Sequence, residues 1–370
     1  MIKGLYIHIP FCENICTYCD FPKMVASEKL QYEYLNALII ELIHYQSEYQ
    51  SLETIYIGGG TPSFLNQELL QKVLHAIDTY IDLSKIKEFT IEANPKDVNE
   101  NFVKLIKKHH VNRLSIGMQT SHVGLLKTIG RNHTSQDIKS AIDICHKHNL
   151  YNINIDIIYA IPGENVYEVA SDLQFVFSLK PTHISIYSLI LEEKTKLYFD
   201  YTKGIITLVD EDTEFRMANV INSLMIESGY IQYEISNYSL PGFESKHNLG
   251  YWNLEEYLGI GMGASSQFDG CRFVNHKSLH MYLEQIIKSS TGIMSEEDFN
   301  PRQETILLGL RKKAGVSLAD FEAVFHQTIF EAYPELEHFI DLGLLHKNST
   351  HLFLTDKGIM LSNQVFLSLF

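Results

Sequence analysis

Cys12, Cys16 and Cys19 fall within eight residues of one another in "FCENICTYCDF", and the chain holds only two other cysteines, Cys145 and Cys271. The spacing C-x3-C-x2-C puts three soft thiols on one short loop just after the apolar run "YIHIP". Three such ligands can each take a different iron of a [4Fe–4S] cube, for which thiolate sulfur is the usual partner. A structural zinc ion wants four protein ligands in a closed tetrahedron. No fourth cysteine lies nearby, although His8 could complete such a set. Three packed, unliganded thiols are the remaining reading. In the cube reading one iron has no protein ligand, and the amine and carboxylate of a small molecule can chelate it.

A loop of this kind needs a scaffold that carries it to a shared mouth. Strand candidates "GLYIHI", "ETIYIG", "EFTIEA", "RLSIGM", "NINIDIIY" and "HISIYSL" alternate with helical patterns over 30–49, 66–80, 99–108 and 135–149. Six such alternations read as βα units around a parallel sheet. The strands look almost continuously apolar, as expected for burial on both faces. Their C-terminal ends carry Cys12, Gly58, Glu92, Gln119, Asp156 and Tyr187, and in a βα barrel those ends converge where active sites are built. The fold class is therefore α/β, a partial (β/α)6, TIM-like barrel, although a doubly wound open sheet would show the same alternation.

Residues 1–190 form this core, and 191–300 extend it. The extension holds a helix over 210–230, a strand in "YIQYEISNYS" and a glycine-rich loop in "GIGMGASS". Residues 301–370 make a separate unit: helices in "RQETILLGLRKK" and "LADFEAVFHQ", a hairpin from "LLHKN" and "HLFLT", and one last helix in "DKGIMLSNQVFLSLF". That order is the α+β order of a winged helix, a shape often associated with DNA. Residues 302–370 hold six Lys/Arg against eight Asp/Glu, so a packing or lid role is expected instead. Cys145 and Cys271 read as structural. His44, His75, His109, His110, His146 and His148 read as surface residues of amphipathic helices.

With 370 residues, 45% hydrophobic and 20% charged, the chain is typical of a globular protein with a large core. A net charge of −15 argues against nucleic acid as a partner. No long uncharged apolar run or signal-peptide pattern occurs, so a cytoplasmic location, where thiols stay reduced, is expected.

The cysteine spacing after a first strand, with "GGGTPS" after the second, resembles the radical S-adenosylmethionine (SAM) superfamily. The set "YIHIPFC", "GGGTPS", "IEANP", "RLSIGMQT", "GRNHT", "IDIIYAIPG", "QYEISNYS" and "GIGMGASS" is similar to oxygen-independent coproporphyrinogen III oxidase and its relatives, the HemW-type haem chaperones. The resemblance implies a [4Fe–4S] cluster on Cys12, Cys16 and Cys19. It also implies SAM contacts from Tyr6, Gly59 and Glu92. Tyr18, Gly60, Thr61, Gln119, Arg131 and Asp156 match positions lining a neighbouring second-SAM or substrate region.

Two departures separate the relatives. Phe21 stands where the oxidases carry a further cysteine. "HNLGYW" supplies His247, Asn248, Tyr251 and Trp252, matching the H-N-x-x-Y-W motif tied to haem binding in the HemW group. A neutral imidazole is a standard axial ligand of haem. The bland alternative is that His247 caps a turn and Trp252 fills a gap. The expectation is a haem-binding protein that passes haem to acceptors such as respiratory cytochromes or oxidases. Peripheral membrane association and a homodimer are left open. The runner-up is an oxidase removing carboxyl groups from a porphyrinogen's propionates.

Overall fold

The computed structural model describes residues 1–369. Six strands, β1 (Gly4–Ile9), β2 (Thr54–Gly59), β3 (Glu88–Ala93), β4 (Arg113–Gln119), β5 (Ile153–Tyr159) and β6 (His183–Ser188), pair in chain order and all in parallel. The connections carry α1 (Glu28–His44), α2 (Gln67–Tyr80), α3 (Glu100–Lys108), α4 (Val123–Thr128), α5 (Ser135–Lys147) and α6 (Val166–Leu179). Most of these helices start where the sequence supplies a capping oxygen. Asn66 and Asn99 each accept from the backbone N–H three residues on, and Thr134–Asp137 and Asn165–Glu168 close reciprocal capping boxes.

The strands are not apolar on both faces, which corrects the expectation from sequence. They alternate, with one exception at Ile158 in β5, which joins the polar face beside Asp156. Leu5, Ile7, Ile9, Ile55, Ile57, Phe89, Ile91, Leu114, Ile116, Ile153, Ile155, Ile184 and Ile186 form one buried face that joins the helices in the main core. The opposite face is polar. Tyr6, Tyr56, Thr90 and Arg113 stand side by side in one row. Glu92, Ser115, Asn154 and His183 make the next. Side chains of a strand point alternately to either side, so a core on one face and a chemical surface on the other follow from one period-two pattern.

The sheet stays open. Beyond β6 it adds the short strands β7 (Ile231–Gln232) and β8 (Asn237–Ser239), in the order β6-β8-β7. Beyond β1 it adds β9 (Tyr257–Ile260), β10 (Ser265–Phe268), β11 (Cys271–Asn275) and β12 (Ile293–Asp298). The six βα units thus make a partial barrel within a twelve-stranded sheet. "YIQYEISNYS" is a hairpin instead of one strand, because the buried Glu234 carboxylate takes the Ser236 N–H and the Asn237 amide at the turn. "GIGMGASS" is the β9–β10 turn flanked by strand residues. α7 (Lys196–Thr202), α8 (Glu211–Glu227), α9 (Lys246–Trp252) and α10 (Leu279–Ser289) complete this part.

After α11 (Pro301–Gly309) come β13 (Val316–Ser317), α12 (Leu318–Phe325), α13 (Ile329–Ala332) and α14 (Leu336–Asp341). The strands β14 (Leu345–Lys347) and β15 (His351–Leu354) pair with β13 in the order β13-β15-β14 around a core of their own, built on Ile306, Phe321, Leu336 and Leu352. The expected last helix is two, α15 (Asp356–Met360) and α16 (Ser362–Leu367), broken at Leu361. Among the described residues no helix is long and apolar enough to cross a membrane. Cys145 is buried in α5, whereas Cys271 is half-buried on β11. His109 corrects the expectation of a surface residue: it is buried and bonded to Asp78 at 2.5 Å.

Candidate functional site

The C-terminal ends of β1–β6 surround a cavity of about 460 Å³. Its lining includes Cys12, Cys16, Cys19, Glu92, Gln119, Arg131 and Asp156, together with Tyr18, Gly59, Gly60 and Thr61. The polar strand ends singled out in the sequence meet here, apart from Gly58, which packs under the wall. Tyr6 stands one row deeper, its hydroxyl 3.0 Å from His8 Nδ1.

The cysteine loop is held by its backbone. Cys12 N–H donates to the Met24 carbonyl at 3.0 Å, and Thr17 is tied to the end of α4 through Ile129 and Thr128. Thr61 Oγ1 donates to Cys12 Sγ at 3.7 Å. Burial raises the Cys12 thiol to about 11, against that hydrogen bond, and it raises Cys19 as well against the nearby Lys23 charge. Burial thus favours the protonated thiol at both positions, and a metal that takes them must displace protons.

His8 cannot complete a zinc set in this arrangement. It is buried, its Nε2–H donates to the Pro22 carbonyl at 2.7 Å, and Nδ1 faces the Tyr6 hydroxyl. Among the described residues no three His, Cys, Asp or Glu side chains converge to hold one metal ion. Three thiols that each take a different iron need no such convergence.

The three glycines answer first to protein packing. A Cβ on Gly59, whose φ is +112°, would lie 2.3 Å from His8 Cε1. One on Gly60 would meet the Phe11 carbonyl at 2.8 Å, and one on Gly58 the Glu92 carboxyl at 2.9 Å. Their small size brings the cysteine loop, β2 and Glu92 together, as left-handed or crowded backbone requires.

Glu92 accepts from Tyr56 Oη at 2.8 Å and from Gly59 N–H at 3.2 Å. Enclosure raises its carboxyl to about 7; the Tyr56 hydrogen bond opposes this and the Asp156 charge adds to it. Asp156 accepts from Ser115 Oγ at 2.9 Å and Asn154 Nδ2 at 2.8 Å, and burial raises it too. Arg131 bonds Asn94 Oδ1, yet its buried Nε has no partner. Burial works against its charge, yet the surroundings, Tyr18 first and then Cys16, raise its proton affinity on balance, and a guanidinium stays charged at any working pH. Gln119 adopts φ +65° at a register shift in β4, which turns the strand end toward the guanidinium. A buried cation with a free donor, sharing one cavity with two raised carboxyls and three thiols, fits a small zwitterion held next to an iron–sulfur cluster.

Sequence reasoning misses Tyr56, Asn94, Ser115 and His133, all in the cavity lining. Their signal is the polar half of the period-two pattern and the motifs around Glu92 and Arg131.

The second constellation lies at the other end of the strands. Ser245 caps α9, and the helix sits under the N-terminal ends of β1–β3. His247 is only 3% exposed. Its Nδ1 is 2.8 Å from Thr54 Oγ1, its Nε2 2.8 Å from Tyr251 Oη, and its ring stacks on Tyr56. Burial, with the charge of Arg113, lowers it to about 3, so the imidazole is neutral. The space beside it is about 10 Å³, room for roughly one water. Trp252 lies under the Arg311 guanidinium, its buried Nε1 without a partner, and Asn248 is half-buried on the same helix. The structure does not bring His247, Asn248, Tyr251 and Trp252 to the cysteine cavity, and in this closed arrangement they leave no room for a haem.

A family model described as the radical SAM superfamily matches residues 6–176, and one described as the HemN C-terminal domain matches residues 300–361. The chain is 40% identical over 368 residues to the heme chaperone HemW of Lactococcus lactis subsp. lactis, covering 98% of this chain and 96% of that protein. It is 37% identical over 375 residues to the heme chaperone HemW of Bacillus subtilis, covering 99% and 98%. Its fold matches that of coproporphyrinogen III oxidase (HemN) from Escherichia coli, a radical SAM enzyme, with a TM-score of 0.84. That match covers 100% of this chain and 90% of the other at 20% identity, a likeness of fold.

Proposed function

The chain belongs to the HemW family of the radical SAM superfamily, and we propose that it is a haem chaperone that carries a [4Fe–4S] cluster and SAM and delivers haem to acceptor proteins. The observation that carries the cofactor part is the meeting of Cys12, Cys16 and Cys19 with Glu92, Arg131 and Asp156 around one cavity. A bound cluster would supply one-electron chemistry to the sulfonium of SAM. Everything else falls to this chain's side chains. Glu92, near neutrality in its proton affinity, takes its charged form when a cationic amine sits beside it. Arg131 offers its unused donor to a carboxylate, and Asp156 accepts from hydroxyl groups such as those of a ribose. Phe21, exposed at the rim of the same cavity, stands where the oxidases carry a further cysteine, so this loop offers the cluster no fourth thiol. For haem, the residues proposed are His247, Asn248, Tyr251 and Trp252, with the neutral His247 imidazole as candidate iron ligand.

Anaerobic reconstitution tests the first half and should load about four irons and four sulfides per chain; a single zinc would overturn it. Titration with haem should then raise a Soret band, and mixing with a haem-free cytochrome should move that band to the acceptor. The fold shared with HemN supports a second reading, a porphyrinogen decarboxylase. Turnover of coproporphyrinogen III without haem binding would establish it in place of the chaperone.

A further inference from the structure

The first turn of α9 is fastened by a residue far away in the chain. Glu88, buried at the start of β3, accepts from Ser245 Oγ at 3.2 Å, from Lys246 N–H at 2.9 Å and from His247 N–H at 3.1 Å. A helix leaves its first N–H groups without internal partners, and in α9 one carboxylate supplies what those at Lys246 and His247 lack. Ser245 Oγ meanwhile accepts from Asn248 N–H at 3.3 Å. Hydrogen bonds to a charged acceptor are about twice as strong as neutral ones. The imidazole is withheld by the same closure: Thr54 and Tyr251 occupy its two nitrogens, and Gly4 approaches so closely that a Cβ there would meet His247 Cε1 at 3.3 Å. On the outer side α9 packs against α11 and the residues that follow it. Trp252 Nε1 lacks a partner, and the contacts come from Arg311 and from Lys312, which donates to Asn253 Oδ1 at 2.6 Å.

We propose that Glu88 is the catch of a latch: it holds α9 shut against the strand ends, and His247 becomes available to an iron porphyrin only when the Ser245–His247 turn lets go of it. This rests on the haem reading above and adds its regulation. A binding-competent state that is only partly populated weakens apparent affinity by that fraction, so loosening the catch strengthens haem binding through His247.

The test combines two readouts on the full-length chain. Amide hydrogen exchange over residues 245–252 reports the latch without haem, and haem titration followed by the Soret band reports its consequence. Glu88→Gln should speed exchange at α9 and tighten haem binding, each about tenfold. Adding His247→Ala to that variant should cancel the gain in affinity. Should Glu88→Gln fail to fold, Ser245→Ala removes one donor to Glu88 together with the acceptor for Asn248 N–H, and should move both readouts the same way, about threefold. Unchanged exchange in a folded variant overturns the catch. Faster exchange with unchanged haem affinity overturns the gating. If no chain shows a Soret band while exchange still rises, the gating falls together with the haem reading and the latch itself stands, so the two failures are told apart.

Discussion

At the N-terminal ends of β1–β3, Glu88 accepts from three donors and both nitrogens of His247 are engaged around a space of about 10 Å³. At the C-terminal ends the cavity is about 460 Å³, Arg131 Nε has no partner, and burial raises both Glu92 and Asp156. The same strands supply polar residues to both ends. The difference lies in what closes them: a helix that satisfies Glu88 on one side, and on the other a loop of thiols over a cavity that leaves Arg131 Nε without a partner. Satisfied polar groups stabilise; unsatisfied ones wait for a ligand. Tyr56 spans the two, its ring on His247 and its hydroxyl on Glu92.

The comparison breaks most completely at the cysteine loop. Cys16→Ala should remove the visible absorption of the reconstituted protein and drop its iron from about four per chain to near zero, while α9 keeps its exchange protection. Full iron retention would show that Cys16 is no ligand. Next in size is Glu92→Gln, which keeps the shape and abolishes the charge. SAM affinity, read by equilibrium dialysis on the loaded protein, should fall about tenfold, the worth of one charged hydrogen bond over a neutral one. An unchanged affinity would free Glu92 from that role.

Much of the open end is legible in the amino-acid sequence. Cysteine spacing marks its loop, and acidic or amide residues at strand ends mark its wall, because chain order alone carries them to one mouth. The closed end is not legible in the same way. Nothing local in "EFTIEA" says that Glu88 will cap a helix that starts 158 residues later, and His247 reads as a ligand because its burial depends on Thr54, Tyr56 and Gly4. The period-two alternation runs through β1–β6 with one break at Ile157–Ile158, yet the strands read as apolar runs. Isoleucines on one face dominate the impression, and the tyrosines, threonines and serines between them pass as β-formers. The break at Leu361 and the hairpin at Glu234 escape for a related reason, since both are set by tertiary partners.

A smaller effect tests whether the open end stores unsatisfied charge beyond the cavity itself. Glu164, in the loop after β5, gives one oxygen to Ile161 N–H at 3.0 Å, and its other oxygen is buried without a partner. Burial raises its carboxyl from 4.5 to about 8, against the backbone hydrogen bond and with the Asp172 charge adding. A folded-state value above the unfolded one means that the stabilisation is complete below about pH 4.5 and is lost as pH rises through 8. Glu164→Gln imitates the protonated form. It should melt on the order of 2 °C higher than the parent at pH 8.5 and show no gain at pH 4.5. Equal gains at both pH values would place the effect elsewhere.

The smallest effect comes from two threonines bracketing β2, both buried and both donating through Oγ1 or sharing a proton there. Thr54 meets His247 Nδ1 at 2.8 Å at the closed end, and Thr61 meets Cys12 Sγ at 3.7 Å at the open one. Valine has nearly the same shape, so each substitution removes little besides the hydroxyl. Thr54→Val leaves an imidazole nitrogen buried without its partner and should cost about 1 kcal/mol in denaturant unfolding, with the cluster spectrum unchanged. Thr61→Val removes only a long bond to sulfur and should leave unfolding within about 0.5 kcal/mol of the parent. Its signature belongs to the metal: hydrogen bonds to ligating sulfur help set a cluster's potential, and losing one should make reduction harder. The pair would contradict the division between the two ends if Thr61→Val destabilised the fold more than Thr54→Val, or if Thr54→Val moved the potential.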